Sequence, residues 1–133
     1  EPPATKSRGP ETTFRNFSDT SAELVRSRLP HPEKAVFCKG RFPESLPDDL
    51  PPLVFVSLDP DLYAPALAGL RAFWPKLVPG GLILIHDYNS RQFKGVKEAV
   101  QLFCEEEGLS VLPLADLHGS AALMKSLRFS SRK

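Results

Sequence analysis

Two short and nearly continuous apolar runs dominate the sequence, residues 53–58 (LVFVSL) and 82–85 (LILI). Runs of this length and composition are typical of strands that are covered on both faces of a sheet. The segment between them carries apolar residues three and four positions apart, which predicts a helix that Pro75 kinks or ends. Strands that alternate with helices form βαβ units. We therefore predict a Rossmann-like α/β fold with a mostly parallel sheet flanked by helices.

The remaining elements are predicted from capping residues, turn residues and periodicity. A capping box at Thr20–Glu23 indicates a short helix that Pro30 and Pro32 end. The predictions are helices over 20–29 and 93–106, the second stopped by Gly108, a turn at 79–81, and strands over 35–38, 109–114 and 120–124.

A chain of 133 residues has the length of one domain. Residues 1–13 are polar and contain prolines without periodicity, so we expect a flexible leader. We assign residues 14–125 to a partial α/β domain and residues 126–133 to a basic tail. The chain begins with Glu1 rather than Met, which suggests a piece of a longer protein.

Net charge and cysteine content limit which partners and which cellular compartment we expect for this chain. The net charge is +1, so we expect no nucleic-acid partner. No apolar run approaches the roughly 18 residues of a membrane span and no signal peptide is evident, so we expect no membrane partner. Cys38 and Cys104 each lie in an apolar run without a metal-ligand spacing. We interpret both as buried thiols and expect a cytoplasmic protein.

Acidic residues follow both apolar runs directly. Asp59 comes directly after the first run, and Asp87 comes after the second run and His86. If the two runs form neighbouring strands, the backbones at these aspartates would lie about 4.8 Å apart. Two facing carboxylates repel each other unless a cation lies between them, and Mg²⁺ prefers such oxygen ligands. The alternative is helix N-capping, because Asp61 closely precedes Pro65 and Asp87 lies upstream of the next helix.

Further candidates flank this pair. Asp61 is suited to take a proton from a substrate hydroxyl if the turn directs it inward. His86 reaches the same site as Asp87 only if the strand has already ended, because consecutive strand residues point to opposite faces. Tyr63 and Tyr88 are site neighbours or packing residues.

The D-x-D pattern at residues 59–61 has more than one interpretation. It occurs in nucleotide-sugar glycosyltransferases, where it holds a divalent ion, and in haloacid-dehalogenase-type phosphatases, where the first aspartate is a nucleophile. The phosphatase pattern requires Thr or Val two residues after the second aspartate, and Tyr63 stands there. A non-catalytic truncated module is a further alternative.

A longer assembly of motifs is more specific. It consists of KGRFPESL (39–46), FVSLDPDLY (55–63), LVPGGLILIHDYNS (77–90), FKGVKEAV (93–100) and GSAALMK (119–125). Together these motifs resemble the macrocin O-methyltransferase family, which are class I S-adenosylmethionine-dependent enzymes that methylate sugar hydroxyls on macrolides and related natural products. The resemblance covers about residues 14–125.

The resemblance implies roles for individual residues. Asp59, His86 and Asp87 would hold Mg²⁺, and Asp61 would be the catalytic base. S-adenosylmethionine would contact Gly40, Arg41, Phe42, Asp59 and Tyr63, with the loop of residues 40–42 flanking the adenine. The substrate would be a small molecule with a hydroxyl group.

The N-terminal part of the family pattern is not found in this sequence. No G-x-G occurs anywhere in the chain, so the glycine-rich turn that cradles the cofactor is absent. The resemblance therefore implies only the C-terminal portion of such an enzyme, without the first two strands of its sheet. That loss would leave one side of the 53–58 strand unpaired. We expect either that the 35–38 strand pairs there or that two chains associate along this edge.

Overall fold

The computed structural model describes residues 21–117 and 119–127. The leader over 1–13 and most of the basic tail, residues 128–133, lie outside these residues. The chain divides after Phe37 into two compact units, residues 1–37 and 38–133. No helix within the described ranges is both long and apolar enough to cross a membrane.

The first unit contains helix α1 (Ala22–Arg28) and a 3₁₀ turn (Pro32–Lys34). The hydroxyl of Ser21 caps α1 by accepting a hydrogen bond of 3.0 Å from the backbone N–H of Leu24. The cap is thus Ser21, one residue after the position that the capping-box motif predicted. The strand predicted over 35–38 is wrong, because residues 35–39 have no regular structure. Val36 is 87% exposed and Cys38 is also exposed, so two of the four residues gain no burial that would favour a strand.

The second unit carries the sheet. Its elements are β1 (Leu53–Leu58), α2 (Tyr63–Phe73), a 3₁₀ turn (Trp74–Lys76), β2 (Leu77–Ile85), α3 (Lys94–Glu107), β3 (Leu112–Pro113) and β4 (Ala121–Met124). The helix over 63–73 ends in a 3₁₀ turn that contains Pro75, as its ring predicts. Gly108 ends α3 in the left-handed conformation with φ 65°, which confirms the predicted stop.

The sheet is mixed, with strand order β1-β2-β4-β3. β1 and β2 are parallel, whereas β4 is antiparallel to both β2 and β3. The expectation of a mostly parallel sheet is therefore not confirmed. The cause lies in the link over 114–120, which is too short for the crossover of a dozen or more residues that a parallel pair requires.

The turn predicted at 79–81 lies inside β2. Leu53 pairs with Leu77 and Phe55 pairs with Leu82, so β2 contains extra residues in a bulge between these two pairs. Gly80 adopts φ 81° there, a conformation that glycine reaches without steric cost. The bulge lets one strand continue through a sequence that otherwise predicts a turn.

Helices α2 and α3 bury one face of the sheet. Their apolar side chains pack in one core with alternate strand residues, and the ring of Trp74 meets that of Phe103 edge-on with centroids 5.9 Å apart. The fully buried core residues include Leu70, Ile83, Ile85, Val96, Val100, Phe103 and Leu123. Cys104 is buried here as predicted, whereas the prediction that Cys38 is buried is wrong.

Strand β1 is less covered than its composition predicts. Val54 is 70% exposed and Phe55 is 54% exposed, so the expectation of cover on both faces is wrong at these residues. Among the described residues β1 pairs only with β2. The carbonyl of Leu58 points toward β2, since it accepts a hydrogen bond of 2.9 Å from the backbone N–H of His86. Backbone groups of successive strand residues point to opposite sides, so those of Phe55 and Ser57 point to the open edge of β1.

We propose that two chains associate along this open edge. Val54→Lys is expected to lower the dimer population at high protein concentration, because a charged side chain opposes pairing of edge strands. Val36→Lys is the matched control, since Val36 is exposed outside the sheet. Sedimentation over a hundredfold concentration range measures the effect. A strict monomer throughout that range, in the unmodified chain, would contradict the proposal.

Candidate active site

Three carboxylates converge where β1 and β2 end. Asp59, Asp61 and Asp87 each have a carboxylate oxygen within 4.8 Å of the others, and we call them the acidic triad. The parallel register pairs Leu58 with Ile85, which sets the residues after both strands side by side. The strands are thus neighbours, as the sequence interpretation required, and Asp61 joins the pair.

Backbone conformation holds two members of the acidic triad in place. Asp61 and Asp87 both have φ 57°, in the left-handed region that non-glycine residues enter at an energetic cost. Neither caps a helix, because α2 and α3 have Leu62 and Phe93 at their N-caps and no side-chain cap bond. The helix-capping interpretation of these aspartates is therefore wrong, and helix geometry does not explain their conformation.

Asp61 is affected both by partial burial and by the neighbouring charges. Partial burial raises the pKa of its carboxyl group, and the nearby charges of Asp59 and Asp87 raise this pKa further. Asp59 and Asp61 are nonetheless exposed, and Asp87 is half-buried. A proton or a cation would relieve the repulsion while the site keeps contact with water.

His86 takes a different direction from the acidic triad. Strand β2 ends at Ile85, and the His86 ring nitrogen Nε2 lies 3.2 Å from the hydroxyl oxygen of Ser57 in a hydrogen bond between the two strand ends. His86 is not among the residues whose possible ligand atoms lie within 4.8 Å of one another. The structure therefore brings together Asp59, Asp61 and Asp87, with His86 bound to Ser57.

An apolar cavity of about 410 Å³ lies beside Asp59. Its walls come from the loop before β1, the end of β1 and helix α2, namely Phe42, Leu46, Ser57, Leu58, Asp59, Pro60, Pro65 and Phe73. The rings of Phe42 and Phe73 lie 6.0 Å apart. A Cβ atom at Gly69 would come within 3.2 Å of the Phe42 ring and 2.7 Å of Leu58, so glycine permits this close approach.

The residues predicted to contact the cofactor do not all line one cavity. Phe42 and Asp59 line the apolar cavity, whereas Gly40 and Arg41 do not. Gly40 has φ 151°, and a Cβ there would lie 2.8 Å from Cβ of Ser45, so it shapes the loop that carries Phe42. Tyr63 lies at the start of α2, with its backbone N 3.1 Å from where a Cβ of Gly95 would be. Tyr63 thus brings α2 against α3 and lines neither cavity described here.

A polar cavity of about 640 Å³ lies beside Asp87. It is lined by Asp87, Asn89, Ser90, Arg91, Gln92, Phe93, Asp116, Leu117 and Gly119. Apart from Asp87, these residues were not among the predicted site residues. Their position in loops beyond the carboxyl ends of strands is the signal that could have indicated them.

Comparison with known proteins identifies a family and a similar fold. The family model described as macrocin O-methyltransferase (TylF) matches residues 22–125. A comparison with curated proteins finds no match. Among solved structures, that of the O-methyltransferase NovP matches with a TM-score of 0.50 and 21% identity, over 56% of this chain and 30% of that chain.

A second solved structure, apo CalS11, is described as a TDP-rhamnose 3'-O-methyltransferase of calicheamicin biosynthesis. It matches with a TM-score of 0.47 and 22% identity, over 54% of this chain and 31% of that chain. The present chain thus spans less than a third of the length of either structure. At these identities the likeness concerns the fold.

The crowding of the acidic triad predicts that Asp61→Asn stabilises the chain when no divalent ion is present. Because the folded state raises the pKa of Asp61, ionising this group opposes folding, and the cost is present above the folded-state pKa. We expect a gain of up to about 1 kcal/mol at pH 7, the scale of exposed charge interactions. The gain should narrow as the pH falls from 7 to 4, and 1 M NaCl should reduce it.

Urea unfolding at several pH values measures this difference. Asparagine also tolerates a positive φ, so the substitution could stabilise the chain through backbone conformation. A gain of that kind would not depend on pH. Equal stability of both chains at pH 7, or a gain that is the same at every pH and salt concentration, would contradict the electrostatic account.

Proposed function

The chain belongs to the macrocin O-methyltransferase family, and on that basis we propose that it forms the part of an S-adenosylmethionine-dependent O-methyltransferase that activates the acceptor hydroxyl. The acceptor would be a hydroxyl group of a sugar or another small natural product. The observation that carries the proposal is the acidic triad, with Asp59 lining an apolar cavity and Asp87 lining a polar one.

The chemistry of the acidic triad fits Mg²⁺. It offers three carboxylate oxygens, the donors that this hard cation prefers, and the exposure of Asp59 and Asp61 would let the ion keep several waters. We propose Asp59, Asp61 and Asp87 as the ligand group, with the earlier candidate His86 outside it because its ring binds Ser57. A bound Mg²⁺ supplies positive charge that lowers the pKa of a neighbouring hydroxyl group.

The residues of the chain have distinct tasks in this proposal. Asp59 and Asp87 orient the acceptor hydroxyl beside the apolar cavity. Asp61 would receive the proton on the carboxylate oxygen that it does not offer to the ion, since partial burial and the charges of Asp59 and Asp87 raise the pKa of this group. A bound S-adenosylmethionine would supply its methyl group to the hydroxyl oxygen that Asp61 deprotonates, and its sulfur would keep the electrons of the broken S–CH₃ bond.

The apolar cavity suits the flat ring of the cofactor. Phe42 and Phe73 form its aromatic walls, and its volume of about 410 Å³ is within the usual range of small-molecule sites. The chain contains no G-x-G, so the cradle for the rest of the cofactor is not supplied by these residues. We propose that S-adenosylmethionine needs further protein for tight binding.

The family assignment favours methyl transfer over the glycosyltransferase and phosphatase interpretations of the D-x-D pattern. Methyl transfer is tested with radiolabelled S-adenosylmethionine and a panel of hydroxylated natural products, in the full protein that carries this sequence. Asp61→Asn is expected to lower the rate by about 10²–10⁴-fold, the usual contribution of a general base. Asp48→Asn is the charge-matched control, because Asp48 is exposed outside the acidic triad.

The assay has two contradicting outcomes. Hydrolysis of nucleotide sugars or phosphate esters without methyl transfer would favour the rival enzymes. Full methyl transfer by the Asp61→Asn variant would remove the base from the proposal.

The metal proposal predicts that Mg²⁺ stabilises the folded chain. The gain follows RT ln(1 + [L]/Kd), about 1.4 kcal/mol at ten times Kd. Thermal melts with and without Mg²⁺ at constant ionic strength measure it. Asp59→Asn should abolish the gain and Asp48→Asn should retain it. A melting temperature that is indifferent to millimolar Mg²⁺ in the unmodified chain would overturn the metal site.

A further inference from the structure

Arg91 is a cation without a partner in the described part of the second unit. It is exposed and lines the polar cavity, and its guanidinium makes no hydrogen bond or ion pair with the described residues. Among the cations of this unit that have no partner in the described residues, Arg91 is the one that lines the polar cavity. Arg71 binds Glu106 at 2.7 Å, and Lys97 donates to Asn89 at 3.2 Å. No described residue therefore occupies the N–H groups of the Arg91 guanidinium, and they can donate to a ligand.

The same cavity offers neutral and acidic groups beside this cation. Asn89 accepts from Lys97 through its Oδ1, which leaves its amide N–H groups available to donate. Gln92 adds a second amide, and Asp87 connects the cavity to the acidic triad. Asp116 also lines the cavity, and its carboxylate accepts a hydrogen bond of 2.8 Å from the backbone N–H of Ser120.

This arrangement is complementary to a ligand with two different ends. A volume of about 640 Å³ is sufficient for a sugar ring with a substituent. A hydroxyl group suits Asp87, since a carboxylate accepts hydrogen bonds. An anionic group suits Arg91, because the planar guanidinium donates two parallel hydrogen bonds to a phosphate or a carboxylate.

We propose that Arg91 selects acceptors that carry an anionic group, a phosphate or a carboxylate, next to the hydroxyl-bearing sugar. The inference rests on the proposed function, which sets the acceptor hydroxyl at Asp87. It assigns Arg91 as the residue that determines specificity. Arg91 lies outside the motifs over 77–90 and 93–100, so they do not indicate this role.

Binding to the ¹⁵N-labelled chain tests the inference with four probes: glucose, glucose 6-phosphate, glucuronate and inorganic phosphate. The two charged sugars should bind about tenfold more tightly than glucose, the effect of one added charged hydrogen bond. Their shifts should centre on residues 87–93. Whichever charged sugar binds more tightly identifies the anionic group.

Variants of the chain separate recognition by Arg91 from general attraction. Arg91→Ala should reduce both charged sugars to the affinity of glucose, and Arg91→Lys should restore part of the difference because it keeps the charge without the fork. Arg28→Ala is the charge-matched control, since Arg28 is exposed and does not line the polar cavity.

Three results would overturn the inference. They are equal binding of neutral and charged sugars, an Arg91→Ala variant with unchanged affinities, and inorganic phosphate that binds as tightly as glucose 6-phosphate. The titrations need neither Mg²⁺ nor cofactor. Loss of Mg²⁺ stabilisation would therefore overturn the metal site and leave this result standing, and failure of the Arg91 variants would leave the metal site standing.

Discussion

The parallel pairing of β1 with β2 is the constraint on which the candidate site depends. Parallel strands end at the same edge of a sheet, so any residues that follow them directly come together. The hydrogen bond from His86 N to the carbonyl of Leu58 continues this pairing one residue beyond β2. The backbone then turns sharply at Asp61 and Asp87, where φ is 57°. Like charges within 4.8 Å are thereby imposed by the backbone.

Packing on one face of the sheet supports this edge. Helices α2 and α3 follow β1 and β2, and α2 begins at Tyr63, directly beyond the turn at Asp61, whereas a loop separates Asp87 from the start of α3 at Lys94. Gly95 allows α3 to approach the backbone of Tyr63, and Gly69 allows Phe42 to approach the end of β1. A side chain at Gly69 would push Phe42 or Leu58, two walls of the apolar cavity, outward. A side chain at Gly95 would instead separate α3 from the start of α2.

Sequence patterns predicted the parts of this molecule that depend on local composition. The apolar run over 53–58, the amphipathic helix that Gly108 ends and the strand-end aspartates were all evident from residue type and spacing. The 35–38 run has the same apolar character, yet it forms no strand. A strand depends on a neighbouring edge, which composition does not reveal. The direction of β4 and the bulge at residues 79–81 likewise depend on tertiary pairing.

The candidate site shows the same division. Asp59 and Asp87 were paired correctly because strand adjacency follows from the βαβ pattern. The hydrogen bond of His86 to Ser57 depends on side-chain direction at a strand end, which alternation alone does not determine. Arg91 and Gln92 lie between the motifs over 77–90 and 93–100, so their place in the polar cavity became evident only from the fold.

Paramagnetic relaxation by Mn²⁺ tests most directly whether the acidic triad is one preformed cation site. At a low ratio of metal to protein, the amide signals of residues 59–61 and 86–88 should broaden first. The exposed acidic pair Asp48–Asp49 and the run Glu105–Glu107 should broaden only at higher concentration. Equal or earlier broadening at these other acidic residues would show that the ion samples acidic surface in general, and it would contradict the account.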